Sequence, residues 1–375
     1  MKAVLVLEDG TVFEGTSFGT TGKVFGEVVF NTCMSGYQEI LTDPSYKGQM
    51  VVMTYPMIGN YGFNNEDNES YQPHVQGFIV KELCELPSNW RNQGTPNDYF
   101  INQGICGICD IDTRKLTQHI RNHGSMYGVI STIKEGYTQL VHEARDASQS
   151  EHDLVDLVTT KQPIYYEWNG KNGCNRQKVV VLDFGVKQNI VRSLLHKGCE
   201  VVTVPAHTKA EDILSFCPDG ILLSNGPGDP MDVSYAVDTI QQLLGIKPIL
   251  GICLGHQLLG HCLGGKTYKL KFGHHGGNHP VKDLLRNRVY ITSQNHNYAL
   301  HEDFNPHVII THMNLNDHTV EGFKHDTLPV LSVQYHPEAA PGPMDSNYIF
   351  DEFIELMRNY PSCTYPYRVS TSDII

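Results

Sequence analysis

A chain of 375 residues with 40% hydrophobic and 18% charged side chains is long enough for two domains with cores of their own. That composition excludes a disordered chain, and a formal charge of −13 argues against a phosphate-backbone binder, which needs a basic face. No apolar run is long enough to span a bilayer, and the N-terminus is charged by Glu8 without a secretory cleavage pattern.

A cytoplasmic protein is therefore expected, with its ten cysteines free thiols rather than a disulfide framework. Residues 1–150 read as a mixed, β-rich α/β domain. Leu5–Leu7 and Val12–Gly15 flank Asp9-Gly10, a hairpin turn signal, and apolar runs follow at Gly26–Phe30, Met50–Thr54 and Gly77–Val80. The sequence predicts a helix over Thr113–His123, with Asp112 as N-cap and Gly124 as its stop. Residues 151–177 hold Lys161-Gln162-Pro163 and Trp168-Asn169-Gly170-Lys171-Asn172-Gly173, breaker-rich runs that mark a linker.

From residue 178 to about 360 strands and helices alternate. Val179–Leu182, Glu200–Val204, Gly220–Leu223 and Pro248–Leu250 are short buried strands, and Gln188–Lys197 is helical. Such alternation implies a doubly wound parallel sheet of flavodoxin-like type, covered on both faces. Phe350, Phe353, Ile354 and Met357 follow helical spacing and read as core packing. Residues 361–375 form a tail.

The segment richest in chemistry is Pro248-Ile249-Leu250-Gly251-Ile252-Cys253-Leu254-Gly255-His256-Gln257. A strand runs into Gly-x-Cys-x-Gly and then a helix, so the backbone can turn sharply and leave the central side chain at the strand's end. A thiol at a helix N-terminus also gains from the helix dipole. The ordinary alternative, a structural cysteine, does not account for both glycines. A thiol nucleophile needs a base and a group to orient it; His336 and Glu338, in Gln334-Tyr335-His336-Pro337-Glu338 at the end of a predicted strand, offer both. Ser224-Asn225-Gly226-Pro227-Gly228-Asp229-Pro230 follows another strand and reads equally as a plain turn or as a donor of backbone N–H to an oxyanion.

Together these three segments resemble the class I (triad-type) glutamine amidotransferases. Within that class the chain resembles, over nearly its whole length, the family of small, glutamine-hydrolysing chains of carbamoyl-phosphate synthetases. Phe30-Asn31-Thr32, Gly36 to Tyr46 and Asp110-Ile111-Asp112-Thr113-Arg114 resemble that family's own first domain, and Lys271 to Pro280 and Ser293-Gln294-Asn295-His296 its second. The resemblance implies that Cys253 attacks the amide carbon of L-glutamine, His336 shuttles the proton and Glu338 orients the imidazole. It implies an oxyanion hole from the N–H groups of Gly226 and Leu254, and a glutamine-holding set of Ser45, Gly228, Gln257, Asn295, Asn297 and Tyr298. Since Ser45 belongs to the first domain, a site where the domains meet is expected. Asn297-Tyr298 departs from the family's Gly-Phe, which matters if the backbone there is left-handed. The resemblance further implies a heterodimer, or higher oligomer, with a large synthetase chain that makes carbamoyl phosphate from bicarbonate for arginine or pyrimidine synthesis. ATP and magnesium would belong to that partner, and no cofactor to this chain.

Other motifs carry less. Gly260 to Thr267 fits the phosphate-loop pattern, but a helix precedes it and a strand-like segment follows, the reverse of what that loop needs. Cys106-Gly107-Ile108-Cys109 is a single thiol pair where structural zinc takes four ligands, and His274, His275 and His279 lack supporting ligand spacing, so no metal is expected.

Overall fold

Period-two alternation organises the first of two units, Met1–His152 with Lys271–Gly276. The computed structural model describes residues 1–148, 153–166 and 176–360. Trp168–Gly173 of the expected linker and the tail 361–375 lie outside the described residues. In chain order the first unit contains β1 (Lys2–Leu7), β2 (Val12–Gly19), β3 (Lys23–Asn31), α1 (Tyr37–Thr42), β4 (Gln49–Met53), β5 (Met57–Ile58) and β6 (Gly77–Ile79). There follow β7 (Glu82–Leu83), α2 (Pro96–Asn102), β8 (Cys106–Cys109), α3 (Thr113–His123), β9 (Met126–Ser131) and α4 (Tyr137–Ser148).

Seven of these strands close a barrel in the order β1-β2-β8-β6-β4-β3-β9. The hairpin forms as expected: Leu5 pairs with Phe13, and Gly10 takes the positive φ (94°) that its turn requires. Closure comes from β9 lying antiparallel to both β1 and β3, a long-range pairing that no local pattern announces. Alternate residues feed different cores. Val28, Phe30, Met50 and Val52 pack with Leu116 and Ile120 of α3, whereas Val29, Val51 and Met53 pack with Tyr37, Ile40 and Leu41 of α1. α3 starts where expected, the Asp112 side chain accepting from Lys115 N at 2.9 Å.

The second unit, Asp153–Leu270 with Gly277–Ile375, contains β10 (Ile164–Tyr166), β11 (Lys178–Asp183), α5 (Gln188–His196), β12 (Glu200–Pro205), α6 (Ala210–Ser215), β13 (Gly220–Leu223) and α7 (Ser234–Leu243). It continues through β14 (Ile249–Ile252), α8 (Leu254–Cys262), β15 (Thr267–Asp283), β16 (Arg288–Leu300), β17 (Val308–Asn314), β18 (Val320–His325), β19 (Val330–Val333) and α9 (Tyr348–Asn359). Five strands run parallel in the order β12-β11-β13-β14-β19, which is the flavodoxin-like 2-1-3-4-5 arrangement. Helices cover both faces. α6, α7 and α8 pack on Val180, Leu182, Ile221 and Ile249; α5 and α9 pack on Val179, Val181, Leu222 and Leu250.

Beyond the parallel core, the same sheet continues as β18-β17-β15-β16, with β18 antiparallel to β19 and β17 antiparallel to β18. β19 ends at Val333, three residues short of the expected end at His336. Pro337 follows and cannot donate to a ladder. His336 is held instead by a single bridge, its N–H donating to Ser293 O at 2.9 Å. The phosphate-loop pattern falls between α8 and β15, helix first and strand second. Among the described residues no helix is long and apolar enough to cross a membrane.

Candidate active site

β14 delivers Cys253 at its carboxyl end, where the backbone adopts φ 55° and ψ −105° before α8 begins. A positive φ at a non-glycine residue costs about 1–3 kcal/mol and persists only where the surroundings dictate it. The two flanking glycines are part of that constraint. A Cβ on Gly251 would stand 2.7 Å from Gly255 O, and one on Gly255 would stand 2.2 Å from Leu223 O. The turn is pinned by the Cys253 N–H donating to Val333 O at 3.0 Å. Sγ of Cys253 lies 3.5 Å from Asn295 O, so β16 brings its Asn295 to the thiol.

His336 and Glu338 follow β19 through a tight turn. His336 Nδ1 lies 2.6 Å from Glu338 Oε1, which leaves Nε2 as the nitrogen available to the thiol. Cys253, His336 and Glu338 expose 2%, 1% and 0% of their surfaces, so a charge on any of them must be met by a neighbour rather than by water. Burial opposes the imidazolium, but the Glu338 carboxylate and the Cys253 thiol outweigh it and raise the His336 pKa to about 10. Burial likewise opposes the Glu338 carboxylate; Lys187 and His336 overcome that and hold its pKa at about 2.

Lys187 is the residue that sequence reasoning missed. It stands just before α5, buried, and its Nζ donates to Glu338 Oε1 at 3.0 Å and to Ala339 O at 2.5 Å. Asn189, the second residue of α5, donates to Glu338 O. Neither residue belongs to a motif, and both lie about 150 residues upstream of Glu338, whose carboxylate Lys187 holds and whose backbone carbonyl Asn189 holds. The loop after β13 is tied to the same turn: Asn225 accepts from Lys187 N at 3.1 Å and donates to Gly185 O at 2.9 Å. Gly226 follows, and a Cβ there would meet Phe184 O at 2.3 Å, so the loop tolerates only glycine at this approach. Leu254 is the first residue of α8, whose leading N–H groups have no intrahelical partner. Gly228, exposed and at φ 89°, lies further along the loop.

Gln257 is buried one turn after the thiol. Its Nε2 donates to Tyr298 O at 2.8 Å and to Gln334 Oε1 at 3.1 Å, which joins α8 to β16 and to the segment after β19. Asn297 and Tyr298 lie within β16, and Asn297 is not among the residues with positive φ, so the Asn-for-Gly departure meets no left-handed backbone. Ser45 belongs to the first unit; it sits in a 3₁₀ turn, Pro44–Tyr46, with its N–H donating to Asp43 Oδ1 at 2.9 Å. The cysteine pair of β8 is three residues apart on one strand, so its thiols project from opposite faces, Cys106 into one core and Cys109 toward another. Two thiols so placed do not share a metal.

A strained thiol elbow in a doubly wound sheet beside a buried His–Glu pair is an arrangement able to support nucleophilic acyl transfer. The family model "Glutamine amidotransferase class-I" matches residues 180–356, and the model "Carbamoyl-phosphate synthase small chain, CPSase domain" matches residues 5–130. The chain is 54% identical over 368 residues to the carbamoyl phosphate synthase small chain of Syntrophotalea carbinolica, covering 95% of this chain and 98% of that one. It is 53% identical over 355 residues to the small chain of Clostridium perfringens, covering 95% and 99%. It is also 49% identical over 361 residues to the carbamoyl phosphate synthase pyrimidine-specific small chain of Halalkalibacterium halodurans, covering 96% and 98%. The chain belongs to the carbamoyl-phosphate synthase small-chain family.

Proposed function

We propose that this chain hydrolyses glutamine through Cys253, His336 and Glu338 and passes the ammonia to a large ATP-dependent chain that makes carbamoyl phosphate from bicarbonate. The observation that carries the reading is the buried His336–Glu338 pair, 2.6 Å apart, beside the strained elbow at Cys253. Sγ attacks the amide carbon while Nε2 of His336 holds the proton, and the Glu338 carboxylate, itself balanced by Lys187, stabilises that imidazolium. The negative charge growing on the carbonyl oxygen is met by the N–H groups of Gly226 and Leu254. His336 then returns the proton to the leaving nitrogen, ammonia departs, and a γ-glutamyl thioester remains. Water, deprotonated by His336, attacks the thioester; glutamate leaves and the thiol is regenerated.

In this reading Ser45, Gly228, Gln257, Asn295, Asn297 and Tyr298 hold the substrate. The chain works in the cytoplasm as one half of a heterodimer, needs no cofactor or metal of its own, and serves arginine or pyrimidine synthesis. Cys253→Ala tests the core of it. The variant, assembled with the large chain, should lose glutamine-dependent carbamoyl phosphate synthesis while the ammonia-dependent reaction continues. Retained glutaminase activity in the variant would end the assignment.

A further inference from the structure

His256 is buried completely, three residues after the nucleophile, and none of the chemistry above uses it. Its Nδ1 lies 2.9 Å from Ser332 Oγ, and its Nε2 has no hydrogen-bond partner. The ring packs against Phe323 with centroids 5.0 Å apart. Ser332 is the residue of β19 that stands opposite Gly251 of β14, so the bond links the first turn of α8 to the strand that leads to His336. The Ser332 hydroxyl is also directed at Phe323 O, 3.5 Å away, which leaves the serine oxygen to accept from Nδ1–H.

The first turn of α8 is therefore fastened on three sides. Gly255 N–H donates to Ser224 O at 3.0 Å toward β13. Gln257 Nε2 donates to Gln334 Oε1 at 3.1 Å beyond β19. His256 supplies the third tether, to β19 itself. A buried imidazole with one nitrogen unpaired is an unfavourable way to fill a core position, and a leucine there would carry no such penalty. Burial holds the ring's pKa down at about 3, so it stays neutral and acts as a fixed link rather than a proton carrier.

We propose that His256 is a positioning residue, clamping the strained elbow of Cys253 through Ser332 to the strand that leads to the base. The proposal rests on the catalytic reading of Cys253 and His336. The sequence shows His256 only as a neighbour of the elbow, because its partner is a serine in a buried strand far along the chain.

The experiment compares His256→Leu, His256→Asn and Ser332→Ala in the full chain, with Cys253→Ala alongside. Misplacement of reacting atoms by a fraction of an ångström acts on turnover, so kcat for glutamine hydrolysis should fall on the order of tenfold or more in His256→Leu, with KM within about twofold. Asparagine can place a polar atom where Nδ1 stood, and His256→Asn should recover most of the lost kcat. Ser332→Ala, a smaller change, should reproduce the kcat loss in part. The melting temperature of His256→Leu should hold or rise. A fall in melting temperature with kcat unchanged would mean that His256 only supports the fold, and a KM rise that carries the whole effect would make it a substrate-binding residue; either overturns the clamp. If Cys253→Ala is inactive while both His256→Leu and Ser332→Ala turn over like the parent, the clamp alone fails. If Cys253→Ala remains active, the catalytic reading fails instead.

Discussion

β8 and β14 each bring a cysteine to the carboxyl end of a short buried strand. In β8 the chain continues in regular alternation, Cys106 and Cys109 fall on opposite faces, and each thiol is pushed up to about 11, Cys106 by burial and Cys109 by burial together with the Asp110 carboxylate. In β14 the chain breaks at Cys253 into a positive φ, and the side chain meets a backbone carbonyl and an imidazole in addition to its hydrophobic neighbours. The two strands have similar length and burial. What separates them is the glycine on either side of Cys253, each at an approach where a Cβ would collide with backbone. Thiol chemistry in this chain follows from where the backbone is forced to turn, and then from which charges are buried behind the turn.

The sharpest test of that second half is Lys187. It is a cation that helps make a fully buried carboxylate tolerable, so Lys187→Met leaves Glu338 with His336 as its remaining counter-charge in a site that water does not reach. Removing one member of a buried ion pair typically costs about 3–5 kcal/mol. We expect a loss of that order in chemical denaturation, together with a large fall in glutaminase kcat, because Glu338 would take up a proton and no longer support the His336 charge. A variant as stable and active as the parent would show that the buried charges behind the elbow are incidental.

Lys187 also marks the limit of what the sequence disclosed. The parallel core was legible because each strand is a short apolar run bounded by breakers, and the elbow because glycine, cysteine and glycine follow one such run directly. The hairpin at Asp9-Gly10 and the capped helix at Thr113–His123 were legible for the same local reasons. Closure of the barrel through β9, and the antiparallel extension through β15 to β18, depend on partners far away in sequence. β15 carries Lys, His, Gly and Asn where a half-buried strand would show clean alternation, so its length was hidden. His336 was placed one step too regularly, at a strand end rather than in the turn beyond it.

Acidity gives a second, smaller test of the same charges. His336 is raised from 6.5 to about 10 in the fold, so its contribution to stability is complete below pH 6.5 and is lost as pH rises through about 10. Glu338 is lowered from 4.5 to about 2, so its contribution is present above pH 4.5 and is lost as pH falls through about 2. Both act together between those two ordinary values. Melting temperatures of the parent should therefore decline above pH 6.5 by more than those of Glu338→Gln, whose amide leaves the imidazole no carboxylate to pair with. Parallel declines in the two proteins would place the source of the alkaline loss elsewhere.

The smallest effects belong to the other side of the comparison. Cys109 is partly exposed, with Sγ 3.7 Å from Asp110 Oδ2, and Cys106 is buried in the core beneath α3. Cys109→Ser exchanges a weak S–H donor for a stronger hydroxyl at a partly exposed position and should change stability by no more than about 0.5 kcal/mol. Cys106→Ala removes a buried sulfur and should cost about 1 kcal/mol, the ordinary scale for a small core deletion. Neither should move glutaminase kcat beyond about twofold, since both thiols are packing groups in a strand with no imidazole against them. Opposite faces of one strand also rule out a shared metal, so elemental analysis of the purified chain should find no stoichiometric zinc that disappears in Cys109→Ser. A zinc that does disappear, or a glutaminase rate that collapses with either change, would mean that β8 and β14 differ less than their backbones suggest, and that the first unit contributes thiol chemistry of its own.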